Sequence, residues 1–167
     1  MRGFPAHATS ARRIESPVGD LVLLASTKGL AGLFFGHRVE GSVLPPDDGS
    51  NPHLEAAKEQ LGEYFQGSRT CFDLPLDARG TDFQRAVWDE LRRIPCGVTR
   101  SYAEIAERIG KPTSVRAVGA ANGSNPISVI VPCHRVIGAD GALTGFGGGL
   151  DLKRRLLVLE GALLDVG

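Results

Sequence analysis

Long hydrophobic runs are missing from this chain. In 167 residues no apolar stretch approaches the ~20 needed to cross a bilayer, which excludes a membrane-spanning helix. The start, Met1-Arg2-Gly3-Phe4-Pro5, lacks the roughly 7–15-residue apolar core of a secretory signal, so a cytoplasmic location is expected. Cysteine is scarce as well. Cys71, Cys96 and Cys133 are widely spaced and odd in number, which argues against a disulfide framework. No C-x-x-C or H-x-x-x-H pair is present, so neither a structural metal nor a cofactor is expected. Excess charge of one sign is also absent, but the balance hides an asymmetry. Residues 1–78 hold 7 Lys/Arg against 10 Asp/Glu, a net of −3, whereas residues 79–167 hold 12 against 9, a net of +3. The second half is therefore free to meet phosphates.

What is present reads as two mixed α and β parts, with the boundary in Asp77-Ala78-Arg79-Gly80: residues 1–78 and residues 79–167. In the first, the apolar β-prone runs Ile14 to Ala25 and Leu30 to Phe35, cut by turn signals at Pro17-Val18-Gly19-Asp20 and Thr27-Lys28-Gly29, predict a small antiparallel meander. Leu54, Ala57, Leu61, Tyr64 and Phe65 recur at helical spacing ahead of a stop at Gly67, and Cys71 to Leu76 alternates like a further strand. The second part is mostly helical. Thr81/Gln84 and Ser101/Glu104 have capping-box spacing, and Gly110 and Gly161 stand where helices stop. Ser128 to Val131 is apolar, β-branched and too short for a helix.

The segments 101–109 and 114–122 have the lengths and spacing of a helix-turn-helix. The second, Ser114-Val115-Arg116-Ala117-Val118-Gly119-Ala120-Ala121-Asn122, offers one Arg on an Ala/Gly surface. That surface suits either tight packing inside the domain or sequence-independent approach to a DNA groove. Cys133 follows the apolar run 128–131 and Pro132, a place that presents a side chain at a pocket wall. A thiol attacks only as thiolate, so it needs a base and an orienting carboxylate, for which His134 and Glu160 are the candidates. Neighbouring strand residues point apart, so a bridging water is expected between Cys133 and His134. On the residues alone, an inert buried cysteine and a cysteine hydrolase both stay open.

The run Ile130-Val131-Pro132-Cys133-His134-Arg135-Val136-Ile137 resembles the active-site signature of the O6-alkylguanine-DNA alkyltransferases. Arg100 to Ala106 resembles the first helix of that family's helix-turn-helix, Arg116 to Pro126 its recognition helix and following turn, and Gly145-Phe146-Gly147-Gly148-Gly149-Leu150 its pocket loop. The likeness runs in order over roughly residues 80–161, and the first half suits the family's ribonuclease-H-like domain. The fold implied is α+β: a ribonuclease-H-like antiparallel sheet with a helix, then a mostly helical domain with the helix-turn-helix.

The resemblance implies DNA repair by direct reversal. Cys133 would take the alkyl group from O6-alkylguanine, with O4-alkylthymine a further candidate, irreversibly and once per molecule. His134 would be the base, reached through water, and Glu160 would orient it. Asn125 would tie the recognition helix to the active-site turn. Tyr102 would rotate a phosphate and hydrogen-bond the flipped guanine, and Arg116 would enter the stack in its place. Ala117, Ala121 and Arg135 join the DNA- or base-binding set, and the backbone at Cys133, Val136 and Gly147 would hold the base. The partner implied is double-stranded DNA bound by a monomer, with cooperative binding along it a further candidate. Phe146 stands where the family pattern has Tyr, which removes a hydroxyl contact. Some members bind zinc in the first domain, but no such ligands appear here. Two other readings compete: a module that binds alkylguanine without accepting the alkyl group, and a transcription regulator, against which the Ala/Gly recognition helix argues.

Overall fold

The computed structural model describes residues 4–165. The chain divides between Arg79 and Gly80 into two compact units. Both helix and sheet are present, so the expected α+β class holds.

In the first unit three strands, β1 (Ser10–Ile14), β2 (Leu21–Ala25) and β3 (Leu30–Phe35), form an antiparallel sheet in chain order, as a meander requires. Every residue of β2 is buried, because the central strand is covered on both faces. Helix α1 (Pro52–Phe65) buries Leu54, Ala57, Leu61 and Tyr64, the i, i+3, i+4 stripe legible in the sequence. Asn51 caps its start by accepting from the His53 amide at 2.9 Å, and Pro52 occupies the first turn, where no amide is needed. Cys71 to Leu76 is not a strand. Among the described residues its backbone pairs with the sheet at an isolated parallel bridge between Leu30 and Leu76. Pro75, which has no N–H to give a ladder, contributes only a carbonyl to the Leu30 amide at 2.9 Å.

The second unit begins with α2 (Asp82–Leu91), opened by the reciprocal Thr81/Gln84 capping box. A two-residue strand β4 (Arg100–Ser101) leads into α3 (Tyr102–Arg108), where Ser101 accepts from the Glu104 amide. Gly110, at φ +76°, turns the chain toward α4 (Val115–Gly123). This is the expected two-helix motif with a short connection. Trp88 of α2 donates its indole N–H to the Ala121 carbonyl at 2.8 Å, anchoring the last turn of α4. A side chain at Gly80 would strike that indole, its Cβ only 2.6 Å from the ring.

After α4 comes the largest departure from the sequence expectation. Residues 128–131 form turns rather than a strand, with amides bonded locally (Ile130 to Ser128, Val131 to Ile127). Val129 adopts a left-handed φ of +73°, a strained choice for a β-branched residue. The chain then makes a 3-10 turn over Cys133–Arg135 and a short strand β5 (Val136–Ile137), parallel to β4. That pairing brings the start of α3 beside the residues that follow the cysteine. Helix α5 (Leu150–Leu159) closes the unit, burying Leu152, Lys153, Leu156 and Leu157.

Candidate active site

Cys133 is the first residue of the 3-10 turn and is 5% exposed. Its amide bonds back to the Val131 carbonyl at 2.8 Å, fixing the turn. Burial pushes its thiol up from the ordinary value. The Asn125 side chain, the nearby Lys153 charge and the Ser128 side chain pull the other way and favour the thiolate. The balance favours the protonated thiol. The preceding turns are pinned by Asn125, whose Nδ2 donates to the Val131 carbonyl at 2.8 Å while its Oδ1 accepts from the Ile127 amide at 3.0 Å. One side chain just past the end of α4 thereby holds both ends of the loop leading to the cysteine.

His134 is fully buried, and its Nε2 lies 2.9 Å from Oε2 of Glu160. Burial lowers its pKa and outweighs the opposing pull of Glu160, so the imidazole is held neutral. For Glu160, burial alone would raise the pKa, but the hydrogen bonds from Arg135 and His134 win and hold it well below the usual carboxylate range. An ionised Glu160 accepting from His134 assigns the imidazole proton to Nε2 and leaves Nδ1 as the acceptor. Nδ1 is buried and has no hydrogen-bond partner among the described residues. Successive residues of a 3-10 turn point about 120° apart, so His134 faces away from the Cys133 side chain as it would have on a strand.

Arg135, expected among the DNA- or base-binding residues, is turned inward. Its Nε and Nη2 each donate to Glu160 at 2.8 Å, and Nη1 donates to the Ile94 carbonyl at 2.6 Å. A side chain 5% exposed and committed in this way does not reach a phosphate. Ala121 is likewise buried, with its carbonyl held by Trp88 of α2, whereas Arg116 and Ala117 are exposed on α4. Val136 is buried, Phe146 half-buried and Gly147 exposed. Tyr102, at the first turn of α3, is hydrogen-bonded to the loop 138–149: its hydroxyl lies 3.4 Å from the Thr144 carbonyl and 3.2 Å from Thr144 Oγ1.

Lys153 escaped the sequence reading. It is fully buried, and its Nζ donates to the carbonyls of Val136 at 2.6 Å and Thr144 at 2.7 Å. It thus fastens the loop 138–149 to β5. Burial lowers its pKa to about 8, against the raising influence of Cys133. The signal that could have found it is a lysine standing in the apolar stripe of α5, beside Leu152 and one turn before Leu156 and Leu157. Among the described residues no group of three His, Cys, Asp or Glu is placed to hold a metal ion, and no helix is long and apolar enough to cross a membrane.

The chain is similar to known proteins over both units. Residues 82–162 match the family model of the 6-O-methylguanine DNA methyltransferase DNA-binding domain, and residues 11–78 match that of its ribonuclease-like domain. A methylated-DNA–protein-cysteine methyltransferase of Mycolicibacterium paratuberculosis is 54% identical over 152 residues, 89% of this chain and 90% of the relative. One from Methanosarcina barkeri is 52% identical, covering 88% and 94%. The crystal structure of Mycobacterium tuberculosis OGT in complex with DNA superposes with a TM-score of 0.84 at 51% identity, covering 92% of this chain and 93% of that one. The chain belongs to the 6-O-methylguanine DNA methyltransferase family.

Proposed function

We propose that this protein repairs DNA by direct reversal, moving the alkyl group of O6-alkylguanine onto Sγ of Cys133 once per molecule. The observation that carries the reading is a buried thiol next to a neutral histidine that an ionised Glu160 holds with its Nδ1 free to accept. The thiol proton passes through a water to His134 Nδ1, and the resulting imidazolium is stabilised by Glu160. The sulfur electron pair then forms a C–S bond as the C–O bond to guanine breaks, and the C–O bonding pair leaves on O6 of a guanine anion that takes a proton from water on release. A hydrogen bond from Tyr102 to the base offsets the developing charge. A thioether has no good leaving group, so the molecule is spent.

An alkyl group on guanine O6 is out of reach inside a duplex, so the base is flipped at a cost of a few kcal/mol. Arg116, exposed on α4, fills the gap, while Ala117 lets the helix approach the groove closely. Backbone groups at Cys133, Val136 and Gly147 hold the base. Lys153 supports the site by anchoring the loop and by placing positive charge near the thiolate as it forms. Binding and transfer reside in residues 79–167, with residues 1–78 as support. The protein acts in the cytoplasm as a monomer and needs no metal. The alternative, a sensor that binds the lesion without accepting the alkyl group, is disfavoured by Cys133 standing beside this base.

The test is to mix the protein with a duplex carrying O6-methylguanine, with and without a chelator, and weigh the intact protein. One added methyl, mapping to Cys133 and absent from Cys133→Ala, is the expected result. Binding without mass gain would identify the sensor, and continued turnover would overturn single use.

A further inference from the structure

Two buried side-chain polar atoms lack a hydrogen-bond partner among the described residues: His134 Nδ1 and Asn122 Oδ1. The first is the base in the proposed transfer to Cys133. The second belongs to a residue which that transfer has so far left unused, and its role rests on the same proposed function. Asn122 lies on the buried stripe of α4 with Val118 and Ala121, a position where the helix otherwise presents small or apolar side chains, and it is 4% exposed. Asparagine is a poor helix former, and a bare amide oxygen is costly to bury, so packing alone does not account for it. Its other end is committed: Nδ2 donates to the main-chain carbonyl of Cys133, at a long 3.4 Å. The amide therefore reaches the turn that carries both thiol and imidazole.

We propose that Asn122 is a positioning residue for the proton path, its Nδ2 steadying the Cys133 carbonyl and its Oδ1 anchoring the water that links Cys133 to His134. A buried water is stable with two to four polar partners. Here it accepts from the thiol and donates one proton to His134 Nδ1 and the other to Asn122 Oδ1, which satisfies both bare atoms at once. When the thiol proton moves to the water, a water proton moves to Nδ1. The electron pair stays on sulfur, and the water is unchanged. Asn122 fixes the direction of this relay because an oxygen that only accepts leaves a single route for the remaining proton. The charged groups near the pair are Glu160, Arg135 and Lys153. Asn122 also sits at the end of the helix that meets DNA, with the preceding Ala121 carbonyl held by Trp88.

The measurement is single-turnover methyl transfer against pH, from O6-methylguanine in a duplex and from the free base, for the wild type, Asn122→Leu and Asn122→Ser. Asn122→Leu is expected to slow transfer about 10–100-fold from both donors. It should also move the acid limb of the rate profile to higher pH while DNA affinity is unchanged. Asn122→Ser, with a hydroxyl that still accepts, is expected to fall between, and it carries the test if the leucine variant does not fold. Superposable pH profiles would overturn the proposed role. So would a loss confined to the duplex donor, which would make Asn122 part of helix docking instead. Either result stays distinct from failure of the proposed transfer itself, which shows in the wild type as methyl on a residue other than Cys133.

Discussion

The two units use charge in opposite ways. Between residues 4 and 79 every charged partner keeps some contact with water: Arg12 reaches Asp47 at 2.7 Å and Glu55 at 2.6 Å, Arg69 reaches Glu63 at 3.2 Å, and even the most covered pair, His7 with Asp77 at 3.7 Å, leaves side chains 12% and 14% exposed. The buried polar group of that unit is Ser26. Beyond residue 80 the buried set is Glu90, Asn122, Asn125, His134, Arg135 and Lys153. Surface pairs contribute little, because water already solvates both partners. Buried ones carry a desolvation cost that attraction barely offsets, so well-packed apolar residues would serve stability as well or better. In the proposed transfer part of that set has a use: an ionised Glu160 fixes the tautomer of His134.

The sharpest way to break this contrast is to remove one carboxylate from each unit. Glu160→Gln leaves Arg135 buried without its counter-charge, which should cost about 3–5 kcal/mol in chemical denaturation. Single-turnover transfer should slow by about 100-fold or more, because the histidine loses its orienting anion. Glu55→Gln, at a side chain 66% exposed, should change neither. Equal effects would erase the distinction between the units.

Acid sharpens it next. His134 sits below its ordinary 6.5 and Glu160 below its ordinary 4.5, so in each case the unfolded chain binds the proton more readily. The stability they contribute is present above those values and is lost as pH falls, from about 6.5 for His134 and from about 4.5 for Glu160. In the first unit the depressed groups are Asp47, Asp48 and Asp77, whose losses begin only near 3.8. Amide exchange followed during acid titration should therefore show residues 80–165 losing protection at a higher pH than residues 4–79. The reverse order would mean that the buried network is not what limits acid stability.

Local chemistry explains which features were legible in the sequence. The Thr81/Gln84 capping box, the Gly67 and Gly161 stops and the β1–β2–β3 meander depend on residues within a few positions of one another. Among the site residues, Cys133, His134 and Asn125 lie in one short stretch, and Glu160 was identifiable as an acid closing an apolar run. Partnerships that span the chain could not be read in this way. Arg135 was placed among the DNA- or base-binding residues because nothing near it in sequence indicates that Ile94 and Glu160 will enclose it. Lys153 and Asn122 look like ordinary polar residues until burial shows what each one touches. The misread strand 71–76 was a failure of the opposite kind: its alternation is real, but Pro75 has no amide for a ladder.

The smallest expected effect isolates geometry from charge. Gly67 and Gly97 share a left-handed backbone, at φ +80° and +86°, so alanine should cost about 1 kcal/mol at either one. Their surroundings differ. A Cβ at Gly67 meets nothing within 4 Å, whereas a Cβ at Gly97 comes within 3.1 Å of the Glu160 carbonyl, tighter than ordinary contact. Gly67→Ala should therefore lower stability without changing the transfer rate of the folded protein. Gly97→Ala should lower both, the rate by a few-fold, because it presses on the residue that orients His134. Equal stability losses with unequal rates would show that the second unit's chemistry depends on where its buried carboxylate is held, to within a few tenths of an ångström.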